Sequence, residues 1–239
     1  MRLGAQVFGL GIAALAVMSL AWGSFAPGQP VPDNFPGRGV LAIAADAVML
    51  AGAAAILWWR TARWGAGALL AFYGVIVLVL MNGPVLARQF ASYGIYESLA
   101  IQVAYLVGAL LIWARDARMA RVAQIVFGVC CVIYGGAHFA YMNLTAPLVP
   151  KWLPPSQVFW GQFTGVAQIA AGLAFLSGIR ARLAGLLLAV MYALFTLLVH
   201  APMLIAKPGD HFILTENATN LALIGIAWMV AESFRGREA

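Results

Sequence analysis

Charge is what this sequence has least of. Only 9% of its 239 residues are Asp, Glu, Lys or Arg, while 64% are hydrophobic. A soluble domain carries roughly 25% charged residues, so too few polar side chains exist here to cover a surface facing water. That excludes an ordinary soluble domain and leaves lipid as the solvent for the apolar surface. Cysteine is scarce as well: the two present, Cys130 and Cys131, are adjacent. Neighbours on a helix point about 100° apart, which excludes a useful bridge between them, and they read as small helix-packing residues. Zinc-finger, Walker and Rossmann patterns are all missing. The net charge of +6 sits between apolar runs, where it serves topology and not nucleic-acid binding.

Long, nearly uncharged runs are what the chain does have. In lipid every backbone donor and acceptor must be satisfied within the chain, so only helices and closed barrels cross it. A barrel needs short segments of strict alternation, whereas these runs are about twenty residues long, the length that spans ~30 Å of hydrocarbon as helix. Eight are expected, over residues 5–24, 39–59, 64–87, 97–114, 121–142, 158–178, 183–205 and 217–233. The connections after the second, fourth and sixth are short and basic. With Arg2, Arg235 and Arg237 they gather ten of the fourteen Lys and Arg on one side; Arg38, Arg88, Lys151 and Lys207 are left on the other. The positive-inside rule then predicts both termini in the cytoplasm.

The chain also aligns with itself at an offset of about 119 residues. Val7-Phe8-Gly9 meets Val126-Phe127-Gly128, Val31-Pro32 meets Val149-Pro150, Pro84 meets Pro202, and Glu97 meets Glu216. The fold class expected is therefore an all-α membrane protein of eight helices in two four-helix repeats, residues 1–117 and 118–239. An even number of spans per repeat gives both the same orientation, related by a pseudo-twofold along the membrane normal. Met1-Arg2 and the first apolar run have the look of a signal peptide, but the run corresponds to the fifth span and is expected to remain a helix.

Ionisable and strongly polar groups inside a membrane are costly and mark functional sites by default. Here they are His138, His200, Asp46 and Gln168, with Glu97 and Glu216 at the starts of spans four and eight and Gln102 and Asn220 about one turn further in. The expected topology puts most of them toward the outer side. His138 aligns with Ser19 and His200 with Asn82, so both histidines belong to the second repeat alone. Glu97 and Glu216, present in both, read as interfacial acids favoured by the helix dipole. His211, beside Asp210 in the last outer loop, reads as solvated. Residues 148–155 contain three prolines, cannot be helical, and form either a cap over the histidines or a plain connection. Two histidines with a carboxylate fit bis-imidazole haem ligation or quinone binding with a proton path. A metal site lacks a third ligand at fixed spacing.

The second half resembles the DoxX-like family of bacterial membrane proteins. The resemblance rests on Gly135-x-x-His138-Phe139, on Val149-Pro150-x-Trp152-Leu153-Pro154, on residues 164–172 around Gln168, and on Arg180-x-Arg182 leading to His200. It implies a four-helix membrane bundle in the bacterial inner membrane, and an association with redox proteins. The family pattern usually has Glu where this chain has Gln168, which removes a titratable group from that position. The leading expectation is a redox-associated membrane subunit that binds a quinone, or a haem, through His138, His200 and Gln168, with Asp46 assisting protonation. A redox protein and the lipid bilayer would be its partners. No complete catalytic set is present, which fits a non-enzymatic scaffold or assembly subunit as the alternative. A small-solute or lipid transporter is the other reading; against it, no span is visibly broken at a matched position in both halves.

Overall fold

The computed structural model describes residues 2–235; Met1 of the signal-like start and Arg237 of the basic terminus lie outside them. Eight helices long and apolar enough to cross a membrane account for the described residues: α1 (Arg2–Trp22), α2 (Arg38–Leu57), α3 (Ala62–Gln89), α4 (Tyr93–Trp113), α5 (Ala117–Ala140), α6 (Gln157–Ser177), α7 (Ala181–Ala206) and α8 (His211–Ser233). No strand occurs among the described residues. All eight expected spans are helical, with ends displaced by a few residues. Such helices give the chain multi-pass membrane character. Capping explains several boundaries that hydropathy alone misses. Asp116, Ser156 and Asp210 each accept a hydrogen bond from the backbone N–H three residues on, at the starts of α5, α6 and α8.

The helices pack in an ordered circuit. Within the first half α1 lies on α2, α2 on α3 and α3 on α4; within the second α5 lies on α6, α6 on α7 and α7 on α8. The halves meet through α1 on α8, α4 on α5 and α4 on α8. Apolar burial cannot by itself drive helices together in lipid, so close backbone approach at small residues takes its place. At the α1–α8 contact a Cβ added to Gly11 would lie 2.5 Å from the Ala222 nitrogen, and one on Gly225 2.4 Å from the Phe8 nitrogen. Gly4 meets Met229, so the two helices run antiparallel and both described chain ends share one face. The opposite, far face carries the loops 23–37 and 141–156. At the α4–α5 contact tyrosines do the joining: Tyr134 donates to the Ala100 carbonyl at 2.7 Å and Tyr93 to the Ile133 carbonyl at 2.6 Å.

The eight spans are continuous, but two of them depart from α geometry. α3 leaves α geometry for a π-helical stretch, Phe72–Asn82, and α7 does so over Thr196–His200. Each stretch ends two residues before a proline, Pro84 and Pro202. A proline inside a helix supplies no N–H to the carbonyl four residues back and clashes with it, and widening the preceding turns relieves the clash. Side chains bond to carbonyls within or just before these stretches: Asn82 donates to the Val77 carbonyl at 2.9 Å, and Thr196 to the Tyr192 carbonyl at 3.2 Å.

Candidate functional site

His138 stands near the far end of α5, held from two directions by α6. Its Nδ1 lies 3.0 Å from the Gly161 carbonyl and 3.1 Å from Thr164 Oγ1. Gln168 Nε2 lies 3.2 Å from its Nε2. A backbone carbonyl only accepts, so Nδ1 carries the proton, and Nε2 accepts from the Gln168 amide. The imidazole is thus a neutral ring with both nitrogens engaged. Thr164 in turn donates to the Trp160 carbonyl at 2.8 Å. The Gln168 carbonyl oxygen, on a residue only 3% exposed, has no protein partner.

Glycine makes this reach possible. A Cβ on Gly165 would sit 2.9 Å from His138 Cβ, and one on Gly135 2.5 Å from the Gly165 carbonyl oxygen. Without those side chains α5 and α6 come close enough for an amide on one to meet an imidazole on the other. α7 closes the third side through Phe195, whose ring stacks on His138 at 6.5 Å between centroids. His200 is half-buried and lies five residues beyond Phe195, at the end of the π-helical stretch. An apolar groove of about 270 Å³ between α6 and α7 runs from Ala167, beside Gln168, to Arg180.

Asp46 is elsewhere. α2 packs on α1 and α3, whereas α6 packs on α5 and α7, so the structure joins His138 with Gln168 and keeps Asp46 apart from them. Asp46 is 1% exposed and neither carboxylate oxygen has a hydrogen-bond partner. Tyr73 of α3 is within electrostatic reach of it. Glu97 and Glu216 are within such reach of one another, where α4 packs on α8. His211 opens α8 instead of lying in a loop, and its ring stacks on Trp22 at 4.8 Å, so it is not simply solvated. Residues 149–156 fold back on the start of α6, where Trp160 donates to the Pro154 carbonyl at 2.8 Å and Trp152 remains 71% exposed.

One feature of the first half escaped the sequence reading. The loop after α1 turns into the bundle: Phe25, Ala26 and Gln29 are buried. Asn82 donates to the Gly28 carbonyl at 2.9 Å, Gln102 to the Pro27 carbonyl at 3.0 Å, and Gln29 to the Met49 sulfur at 3.2 Å. Gln102 and Met49 lie nine and eleven residues into their helices, roughly 13–16 Å from the far ends. Non-helical backbone is tolerated at such depth only where protein covers it. Gly28 adopts φ 80°, and a Cβ there would collide with the Gln102 amide, so the tip of the loop requires glycine. Asn82 and Gln102 were visible as polar residues in apolar runs; Gln29, in a loop, gave no such signal.

Residues 127–231, all within the second half, are similar to the family described as Domain of unknown function (DUF8561). No curated protein and no solved structure matches the chain.

Proposed function

We propose that this protein is a redox-associated subunit of a bacterial inner membrane that binds a quinone beside His138. The carrying observation is the neutral His138 imidazole, poised between the Gly161 carbonyl and the Gln168 amide. A quinone carbonyl needs a hydrogen-bond donor, and a quinol hydroxyl needs an acceptor. The Gln168–His138 pair supplies both by rotating the amide, whose carbonyl oxygen is otherwise unpartnered. The α6–α7 groove would take an apolar tail, and Phe195 a ring face. Haem ligation is the weaker variant, because both His138 nitrogens already have protein partners. Asp46, packed in the other half, has no proton-assisting role in this version, while His200 stands as the second polar group along α7. The DoxX-like resemblance of the second half agrees with a redox association and with the bacterial inner membrane.

In this reading residues 1–117 and 118–239 are repeats, with both termini cytoplasmic. The repeat is supported by equivalent contacts, α4 on α5 matching α8 on α1, and by the paired π-helical stretches. Those stretches favour a transporter as the second reading, since matched irregular helices in two repeats suit alternating access; uptake into proteoliposomes distinguishes it. The quinone reading is tested by lipid extraction of the purified protein and of His138→Ala. A quinone that co-purifies with the parent protein and falls at least about tenfold in the variant supports it. Equal quinone in both, or none in either, sinks it.

A further inference from the structure

The turn that joins α2 to α3 is crowded with tryptophan and arginine. Trp58, Trp59 and Trp64 are all exposed, and Arg60 and Arg63 lie among them. The turn is on the face that carries both described chain ends, because α2 runs back from the far face. It is also pinned. Thr61 donates to the Ala55 and Trp58 carbonyls at 2.8 and 3.1 Å, and a Cβ on Gly65 would lie 2.4 Å from the Gly52 carbonyl oxygen. Exposed indoles at the ends of spans sit at the level of lipid headgroups.

Two arginines from different elements converge there on one ring. Arg2, which opens α1, has its guanidinium carbon 5.8 Å from the Trp59 ring centroid, and Arg60 has its own at 5.2 Å. The two cations are thus held within reach of a single bridging group. Arg63 lies 5.4 Å from the Trp113 ring centroid, at the end of α4. Among the described residues no carboxylate pairs with any of the three: of the acids at this end, Asp116 caps α5 and Glu232 lies 3.3 Å from Arg235. A ring face attracts a cation without neutralising it, so the like charges repel unless an anion stands between them. The helix ends do not supply one, since the negative end of α2 and the positive end of α3 meet in this turn and offset each other.

The corresponding corner of the second half is already occupied by its own backbone. Arg121, aligned with Arg2, donates to the Phe175 and Leu176 carbonyls at 2.8 and 2.6 Å, and residues 178–180 between α6 and α7 include no tryptophan. The unspent arginines therefore belong to the first half, and they are independent of His138. A soluble anion would use them and leave the exposed indoles without a role. A zwitterionic headgroup would bring a cation of its own to a positive corner. An anionic phospholipid matches both features: its phosphodiester meets guanidinium forks, and its glycerol and first acyl carbons meet indole faces.

We propose that this corner is a headgroup site for an anionic phospholipid, with the phosphodiester oxygens between Arg2 and Arg60 and the glycerol backbone against Trp59. The test is native mass spectrometry of the full-length protein in detergent, titrated with phosphatidylglycerol or with phosphatidylcholine of the same acyl chains. Saturable binding of phosphatidylglycerol is expected, with phosphatidylcholine at least about tenfold weaker. An arginine beside an anionic headgroup is worth about fivefold in affinity, so Arg2→Gln combined with Arg60→Gln should weaken phosphatidylglycerol about thirtyfold. Trp59→Leu removes the ring that gathers both cations and should weaken it about threefold. Arg118→Gln, exposed at the same end on α5, should bind within about twofold of the parent. Should the double variant not fold, Arg60→Gln alone carries the same test, at about fivefold. The proposal is overturned by no saturable binding of phosphatidylglycerol, by equal affinity for the two lipids, or by an arginine or Trp59 variant that binds as the parent does. A loss in Arg118→Gln as large as in the double variant overturns it too, since the attraction would then be a diffuse positive field without a site.

Discussion

The two halves of the molecule spend their buried hydrogen-bonding side chains on different partners. In the second, His138 is bonded to α6 on both ring nitrogens, and Asn220 of α8 donates to the Tyr192 carbonyl and to Thr196 of α7, each at 2.6 Å. Polar residues there tie helix to helix. In the first half the corresponding residues hold a loop instead: Asn82 and Gln102 are bonded to Gly28 and Pro27. Ser19, Asp46, Tyr73 and the carbonyl oxygens of Gln29 and Gln102 are buried without partners. Where the alignment puts Ser19 opposite His138, the shorter side chain has no bond to make. The second half is not fully satisfied either, since the Gln168 carbonyl oxygen, the Tyr192 hydroxyl and His211 Nε2 lack hydrogen-bond partners. The difference is that its bonded polar groups join helices, while those of the first half hold a loop.

The sharpest way to break the comparison is to separate the halves. Gly225 lets α8 touch the backbone of α1 at Phe8, and no side-chain movement relieves a Cβ that strikes a backbone nitrogen. Gly225→Val is therefore expected to cost 3 kcal/mol or more, at the upper end of the ~1–3 kcal/mol seen for overpacked cores, and to abolish a monodisperse peak in size-exclusion chromatography. Gly39→Val, at a position with open space around it, should elute as the parent does. A well-behaved Gly225→Val would mean that the halves associate chiefly through the tyrosines of the α4–α5 contact.

The next effect should differ in sign between the halves. Asp46 is a buried carboxylate without a bonded partner, so Asp46→Leu removes a desolvation penalty and should raise the thermal midpoint, by about 1–3 kcal/mol in stability. Gln168→Leu strips the donor from His138 Nε2 and should lower stability by about 1–2 kcal/mol. Both are read by thermal unfolding in the same detergent. Destabilisation by both changes would show that Asp46 is satisfied in the native membrane protein and that the contrast between the halves is one of reach, not of satisfaction.

How much of this was legible in the sequence depended on range. Spans were legible because hydrocarbon thickness imposes a length on every apolar run, and charge scarcity admits no other solvent. His138 and Gln168 stood out for the same reason, as polar residues in apolar surroundings. Their pairing was less visible, since it requires Gly135 and Gly165 to bring two helices together, and glycine in an apolar run carries no mark of its partner. Asp46 looked like a companion of the histidines because depth can be counted along a helix while azimuth and neighbour cannot. The π-helical stretches were hidden although their cause, Pro84 and Pro202, was in view: hydropathy does not register how a helix absorbs a proline. Gln29 was hidden because a loop residue gives no expectation of burial.

The smallest contrast lies at the opposite end of the bundle, where α2 and α6 end. The last carbonyls of a helix need partners. For α6, Gly178 in the left-handed region returns its N–H to the Ala174 carbonyl at 2.8 Å. Arg121 then reaches across from α5 to the carbonyls of Phe175 and Leu176, at 2.8 and 2.6 Å. The aligned Arg2 makes no such clamp; its guanidinium lies 5.8 Å from the Trp59 ring centroid, while Thr61 donates to the Ala55 carbonyl at 2.8 Å at the end of α2. Arg121→Gln should therefore cost about 2 kcal/mol, as charged donors to two carbonyls at a helix C-terminus are lost. Arg2→Gln should cost about 0.5 kcal/mol, the worth of an exposed cation over a ring, and Thr61→Val about 1 kcal/mol. Arg121→Lys should fall between the parent and Arg121→Gln, because one ammonium cannot match a planar fork across two neighbouring carbonyls. Thermal unfolding of the four variants ranks them, and equal costs for Arg2→Gln and Arg121→Gln would mean that both arginines act only through charge at the membrane edge.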